Sequence, residues 1–346
     1  MHPEVDRLRP ALRTLAGEIR RLARLAPSAL DSPHHARPVG QGSGDVTFNP
    51  DESTEAHLSV WFAEQAALAP LSLLTEDSGW RHGGPGPEPG TWRELPNSDH
   101  GGARIVIDPI DGTRHLLFEL RSAWTVIGVA GPGSELPSQA QIEYGLVTEI
   151  PTRLAGWARE LEAIRGQGCE LIEVPLWGQD AAEPMRLTPI DDARVDHGYF
   201  PFFAYHPDVR AASHSIAQRF LARLRSHEGA QIEHCYDDQY IASGGQLALL
   251  ALGHYTMIAD LRPRLKDPEG RGTQCAKPYD LSGAVLCAQE AGCRVCDLEG
   301  IPLDMPLDTH TPVGFVAFAG PQTRDRLLPH FSKVLNGPLD SPFPAQ

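Results

Sequence analysis

Apolar residues recur at three- and four-residue intervals at Val5, Leu8, Leu12, Leu15, Ile19 and Leu22, the period of a helix with one buried stripe. Pro27 lies beyond the last of them, so the first helix ends near it. A second helix is expected from Ser53 or Thr54 through Leu58, Trp61, Phe62 and Leu68 to Pro70, followed by a short apolar strand over 71–74 that runs into Thr75-Glu76-Asp77. Residues 31–52, rich in Gly, Pro, His and Asp and without periodicity, read as a long loop of the kind that often carries function. Residues 83–102 are dense in Gly and Pro and read as a mobile surface insertion. Strands are then expected at 105–107, 123–130, 142–150 and 153–159, the last two forming a hairpin turned at Pro151.

Beyond about residue 172 the pattern alternates. Strands at 195–204, 231–235, 255–259, 293–297 and 313–319 are interleaved with helices at 208–227, 246–252, 280–291 and 323–334. Helices followed by strands mark an α+β layer, and alternation marks an α/β one. The expected organisation is therefore an α+β domain over 1–172 and an α/β domain over 173–346, and no internal repeat is visible.

Composition narrows the class. A chain of 346 residues suits two domains at roughly 150 residues each. Apolar residues at 41% and charged residues at 22% are those of a folded globular protein. No apolar run reaches the roughly 18 residues of a membrane span, and the start lacks a signal-peptide layout, so a cytoplasmic protein is the default expectation. The formal charge of −15 argues against nucleic acid and anionic membranes as partners. It leaves a phosphorylated substrate open, because bound divalent cations reverse the sign of charge locally. Cys293 and Cys296 form one C-x-x-C without two further ligands at zinc spacing, so the six cysteines are expected as reduced core thiols.

The densest chemistry is Asp108-Pro109-Ile110-Asp111-Gly112-Thr113, directly behind the apolar run 105–107. Proline stiffens the turn and Gly112 permits close backbone approach. Thr113 adds a hydroxyl beside the carboxylates, and paired carboxylates with a free backbone amide nearby are what Mg²⁺ and a phosphate need, since Mg²⁺ takes oxygen ligands and shares them with phosphate. The same hexapeptide also suits a plain surface turn. Glu76 and Asp77 end another strand, where solvated loop charge is the simple explanation, and Asp280 precedes a helix, where N-capping is.

Taken together, these motifs resemble the inositol monophosphatase superfamily, which includes fructose-1,6-bisphosphatases and 3′-nucleotide phosphatases. Residues 108–113 match its D-P-[IL]-D-G-T, and Tyr279-Asp280-Leu281-Ser282-Gly283 with Glu290-Ala291-Gly292 resembles its W-D-x-A-[AG] and E-A-G signature. Thr75-Glu76-Asp77 stands in the place of G-E-E, and Asp45 with Asp51 and Glu55 resembles D-x-x-T-x-x-D-x-x-x-E. The resemblance implies a layered αβαβα sandwich of two domains, the sugar-phosphatase fold. It also implies two or three Mg²⁺ ions on Glu76, Asp108, Asp111, Asp280 and the Ile110 carbonyl. Glu76 and Thr113 would orient and deprotonate the attacking water, Asp45 would fix the Thr113 hydroxyl, and the Gly112 and Thr113 amides would receive phosphate oxygens. Haloacid-dehalogenase phosphatases carry D-x-D-G-T with a nucleophilic Asp; the extra residue here re-aims the first carboxylate, so direct attack of metal-activated water is expected instead.

Substrate choice is expected from the second half. Asp260 and Arg262 resemble the family's strand-end substrate contact, with a surface ion pair as the simple alternative. Ser243 and Gly244 open a helix whose amides could meet a substrate hydroxyl or phosphate or serve only as a cap. The chain departs from the pattern in several places. Tyr279 replaces Trp, Arg114-His115 replaces a pair ending in Asn, no lysine lies in 31–52, and residues 263–278 form a longer link expected near the substrate pocket. The expected function is hydrolysis of an inositol phosphate or sugar phosphate. Alternatives are a 3′-phosphoadenosine 5′-phosphate type of nucleotidase and a catalytically weak metal- and phosphate-binding regulator. The family is often dimeric.

Overall fold

The computed structural model describes residues 1–41, 46–177 and 181–337. Nine strands form one sheet in the order Met185–Arg186, Gly168–Pro175, Trp157–Ile164, Ile142–Ile150, Ala123–Ala130, Ala103–Asp111, Leu71–Thr75, Gly79–Pro85 and Trp92–Glu94. Its one parallel pairing joins Leu71–Thr75 to Ala103–Asp111, so both strands end on the same side. That shared end is where Glu76, Asp108 and Asp111 emerge.

Helices α1 (Pro3–Leu25) and α2 (Asn49–Leu68) cover one face of this sheet. The α1 stripe Val5, Leu8, Leu12, Leu15 and Ile19 and the α2 residues Leu58, Trp61 and Phe62 form one cluster with alternate strand residues such as Leu71, Leu73, Ile105, Ile107, Ile127 and Val129. The residues between them, Leu74, Val106 and Val126, face the opposite side. There they meet α5 (Ser243–Ala251) and α6 (Pro278–Ala291), the fifth and sixth helices of the chain after the short α3 (Thr113–Leu117) and α4 (Pro207–Glu228). Because α6 is packed from both sides, it is buried almost all round, from Leu281 through Ala288.

Beyond α5 and α6 lies a four-stranded sheet in the order Phe202–Phe203, Met257–Asp260, Phe315–Phe318 and Arg294–Cys296. Its outer face carries Met257, Ala259, Val316 and Phe318 against α4 and α7 (Pro321–Leu335). The result is a layered αβαβα sandwich. No helix among the described residues is long and apolar enough to cross a membrane.

Several sequence expectations shift. The first sheet continues past residue 172 to Met185–Arg186, and α5 and α6 from the second half form its inner cover. The two halves therefore share a layer. Residues 83–102 are not a loose insertion, because Gly79–Pro85 pairs with Leu71–Thr75 on one side and with the edge strand Trp92–Glu94 on the other. Within 31–52, α2 already starts at Asn49. The strand expected at 153–159 is Trp157–Ile164, and the one expected at 195–204 is broken into Gly198–Tyr199 and Phe202–Phe203. Pro201 lies between them, and proline cannot donate to a ladder. In the second sheet only the Phe202–Phe203 pairing is parallel; the other two are antiparallel.

Candidate active site

In a regular strand, residues three apart point to opposite faces, so Asp108 and Asp111 would diverge. Here Asp108 stands opposite Val126 and Asp111 opposite Trp124, three steps against two, which is a one-residue bulge. The bulge returns both carboxylates to one side. Two bonds hold it: the Ile110 amide donates to Asp108 Oδ1 at 3.0 Å, and Thr125 Oγ1 donates to the Pro109 carbonyl at 2.9 Å. Gly112 follows at φ 97°, a left-handed conformation, and a Cβ there would lie 2.9 Å from that of Ala242, so both conformation and space demand glycine.

The bulge opens into a cleft. Glu76, Asp108, Asp111 and Asp280 line it together with Asp51, Ile110, Gly112 and Thr113, while Ser243, Arg262, Gln274 and Tyr205 contribute from the second half. Four residues named from the acidic motifs, distant in sequence, thus meet in one place. Burial, then the neighbouring charges of Asp111, Asp280 and Glu76, push the Asp108 pKa well above the carboxylate range. Asp111 is likewise raised by burial, against the opposing pull of the Gly245, Gly244 and Ser243 amides. Buried like charges held this close are costly unless a cation joins them.

The acidic cluster fits a hard divalent ion, since Glu76, Asp108, Asp111, Asp280 and the Ile110 carbonyl offer oxygen donors. Among the described residues no three His, Cys, Asp or Glu groups already close into a metal cage.

Asp45 lies outside the described residues. The Thr113 hydroxyl instead donates to Asp51 Oδ1 at 2.9 Å, with the Ile110 carbonyl an alternative acceptor at 2.9 Å. Asp51 is the third residue of α2, and its Oδ2 accepts the Phe48 amide at 2.8 Å, so one carboxylate caps a helix and orients the threonine. A start for α2 placed at Ser53 or Thr54 hid this. Asp280, expected just before a helix, is the third residue of α6 and accepts the Lys277 amide at 2.8 Å.

The Ser243 and Gly244 expectation is redirected. Ser243 N donates to Asp111 Oδ1 at 3.1 Å and Gly245 N to Oδ2 at 2.8 Å, so the start of α5 cradles Asp111 rather than a substrate group. Ser243 still lines the cleft. Asp260 and Arg262 form no surface pair, since they are 1% and 5% exposed. Arg262 Nε donates to Asp260 at 2.9 Å and its Nη2 to Ser243 Oγ at 3.0 Å, with the guanidinium over Phe203 at 4.6 Å. Arg262 lines the cleft and Asp260 stands behind it. The long link 263–278 reaches the cleft through Gln274 and Cys275, and Tyr205 hydroxyl donates to Gln274 Oε1 at 2.7 Å. The aromatic wall of Phe203 and Tyr205 had no signal in the sequence.

No protein-family model matches the sequence, and no curated protein matches it. Solved structures do. Leishmania major fructose-1,6-bisphosphatase superposes with a TM-score of 0.65 at 11% identity, covering 95% of each chain. The extragenic suppressor protein SuhB of Bartonella henselae gives 0.60 at 14% identity, over 94% of this chain and 98% of that one. A hypothetical Pyrococcus horikoshii protein with similarities to inositol-1 monophosphatase gives 0.58 at 16% identity, over 95% and 99%. At such identities the likeness is one of fold, and the chain has the fold of the inositol monophosphatase superfamily.

Proposed function

We propose that this chain is a Mg²⁺-dependent phosphatase that hydrolyses a small phosphomonoester, an inositol phosphate or sugar phosphate, by direct attack of water. The observation that carries this reading is the convergence of Glu76, Asp108, Asp111 and Asp280 with the Asp51-oriented Thr113 in one cleft. Two or three Mg²⁺ ions held by Glu76, Asp108, Asp111, Asp280 and the Ile110 carbonyl would supply Lewis acidity, offset phosphate charge and lower the pKa of water.

The chain's own residues set the geometry around that chemistry. Thr113 donates its proton to Asp51, which leaves its lone pairs to accept from the attacking water. Glu76 stands in the same cleft as the carboxylate that takes the water's proton. The backbone of Gly112 and Thr113 forms the wall where phosphate oxygens would be received. Asp111 has both oxygens held by backbone amides and Asp108 has one, so neither is free to swing as a nucleophile. Arg262, which lines the same cleft from the second half, would meet substrate hydroxyls.

A nucleotide substrate is supported less well. Stacking a base is worth ~1–3 kcal/mol, and one face of each ring of the aromatic wall is already taken, with the Arg262 guanidinium over Phe203 at 4.6 Å and Tyr205 at 5.7 Å. The test is phosphate release from inositol 1-phosphate, fructose 1,6-bisphosphate and 3′-phosphoadenosine 5′-phosphate, with and without Mg²⁺. Release is expected from the polyol phosphates only with Mg²⁺, and Asp108→Asn should lower it about a hundredfold or more, the equivalent of ~3 kcal/mol of lost charge stabilisation. No release from any of the three would sink the enzyme reading and favour a regulatory binding protein.

A further inference from the structure

We infer that His115 is a positioning residue for the proposed metal site: its ring nitrogen holds the Ile241 amide, and through it the backbone that cradles Asp111. This rests on the reading of Asp111 as a metal ligand. The chain from Asp111 to His115 spans only five residues, through the Gly112 turn into α3. Both of its ends grip the same distant segment. Asp111 takes the Ser243 and Gly245 amides, and His115 Nε2 takes the Ile241 amide at 3.0 Å. Three amides of a five-residue stretch are therefore held by two side chains of one turn.

The donor here is a backbone N–H, so Nε2 must be the bare acceptor and the proton sits on Nδ1. Nδ1 is buried and has no hydrogen-bond partner among the described residues, so the ring's one bond is the one to Ile241. Burial, then the nearby Arg121 charge, lowers the His115 pKa and keeps the ring in this neutral state, with Asp238 acting weakly the other way.

The segment it holds is otherwise tightly braced. The His115 ring packs on Tyr240 at 5.2 Å, and Trp124 Nε1 donates to the Tyr240 hydroxyl at 2.7 Å. Arg121 lies over the same tyrosine ring at 4.0 Å and pairs with Asp238 at 2.6 Å. Tyr240 is thus fixed from three sides and Ser243 by Asp111 and Arg262, and the Ile241 amide between them is fixed by His115 alone of the side chains named here. Ile241, Ala242 and Ser243 line the cleft, so a shift of this backbone moves both the cleft wall and the Asp111 carboxylate.

A trio of variants separates acceptor from shape. His115→Phe keeps a ring against Tyr240 and removes the acceptor, His115→Gln places a carbonyl oxygen near the Nε2 position, and His115→Met matches Gln in shape without its acceptor. Amide hydrogen exchange of the metal-free protein over residues 241–245 is expected to quicken about tenfold in Phe and Met and to return toward the parent in Gln. Mg²⁺ affinity by calorimetry should fall about 10–100-fold in Phe and Met, the usual range for groups behind metal ligands, and recover in Gln. Should His115→Phe not fold, the Gln and Met pair carries the comparison. Unchanged exchange in Met and Phe, or equal losses in Gln and Met, overturns the inference, as does faster exchange with unaltered Mg²⁺ affinity. Failure of the phosphatase reading looks different: the parent then releases no phosphate, while the exchange pattern is as stated.

Discussion

At the residue scale, Asp51 joins a structural task to a chemical one, and the two are separable. Asp51→Asn keeps an oxygen that can accept the Phe48 amide but weakens the hold on the Thr113 hydroxyl. Stability should change by less than about 1 kcal/mol, while kcat falls about 10–100-fold at nearly constant KM, as for an interaction made mainly in the transition state. Thermal melts and steady-state kinetics read the two effects. Glu55, one turn further along α2, accepts from Thr75 Oγ1 at 3.2 Å, just before Glu76. Burial raises its pKa from the ordinary 4.5 to about 7, opposed by the Thr75 bond. The folded state then holds a proton that the unfolded chain lacks between those values, so this contribution is full below about pH 4.5 and is lost as pH rises through about 7. Glu55→Gln should gain on the parent by on the order of 1–2 kcal/mol at pH 8 relative to pH 5, read by urea unfolding at both. An equal difference at the two pH values would rule out a raised carboxyl.

At the element scale, helices were legible because their 3.6-residue period is local. The stripe from Val5 to Ile19 is buried as the spacing requires, and α4, α6 and α7 fall within a few residues of expectation. The start of α2 was misplaced because Phe48 supplies no side-chain cap; the cap comes from Asp51, inside the helix. The edge hairpin over 79–94 was hidden because Gly and Pro, which read as loop, are tolerated where one ladder side is open. The approach of α5 to the site was also illegible. A Cβ on Gly244 would lie 2.5 Å from the Asp280 carbonyl and 2.6 Å from Val126 Cγ2. Alanine in a helix ordinarily gains up to ~1 kcal/mol over glycine, yet overpacking costs about 1–3 kcal/mol, so contact should win. Gly244→Ala is expected to lower the melting temperature and, by lifting the neighbouring amides from Asp111, to weaken Mg²⁺-dependent turnover. A higher melting temperature would show that α5 has room to spare.

At the scale of the whole molecule, Asp260 and Arg262 bind the second sheet to the cleft. Both are buried, and the guanidinium also reaches Ser243 on α5 and the Gln274 carbonyl at 3.4 Å. Removing one partner strands the other's charge, so Arg262→Met should cost about 3–5 kcal/mol, whereas Asp260→Leu with Arg262→Met should recover most of that loss. A double-mutant cycle by urea unfolding measures the coupling, and additive losses would contradict it. The sequence by itself determined the element types wherever a period repeats, and it marked the four acidic motifs, because a motif and a period are both carried by neighbours in the chain. Tertiary structure alone decided the bulge that brings Asp108 and Asp111 to one side, the choice of Asp51 as the partner of Thr113, the cradle of α5 amides around Asp111, and the layer that the two halves share. Each of these depends on which distant strands and helices pack together, and that is settled by the burial of both sheet faces at once rather than by any local preference of the residues involved.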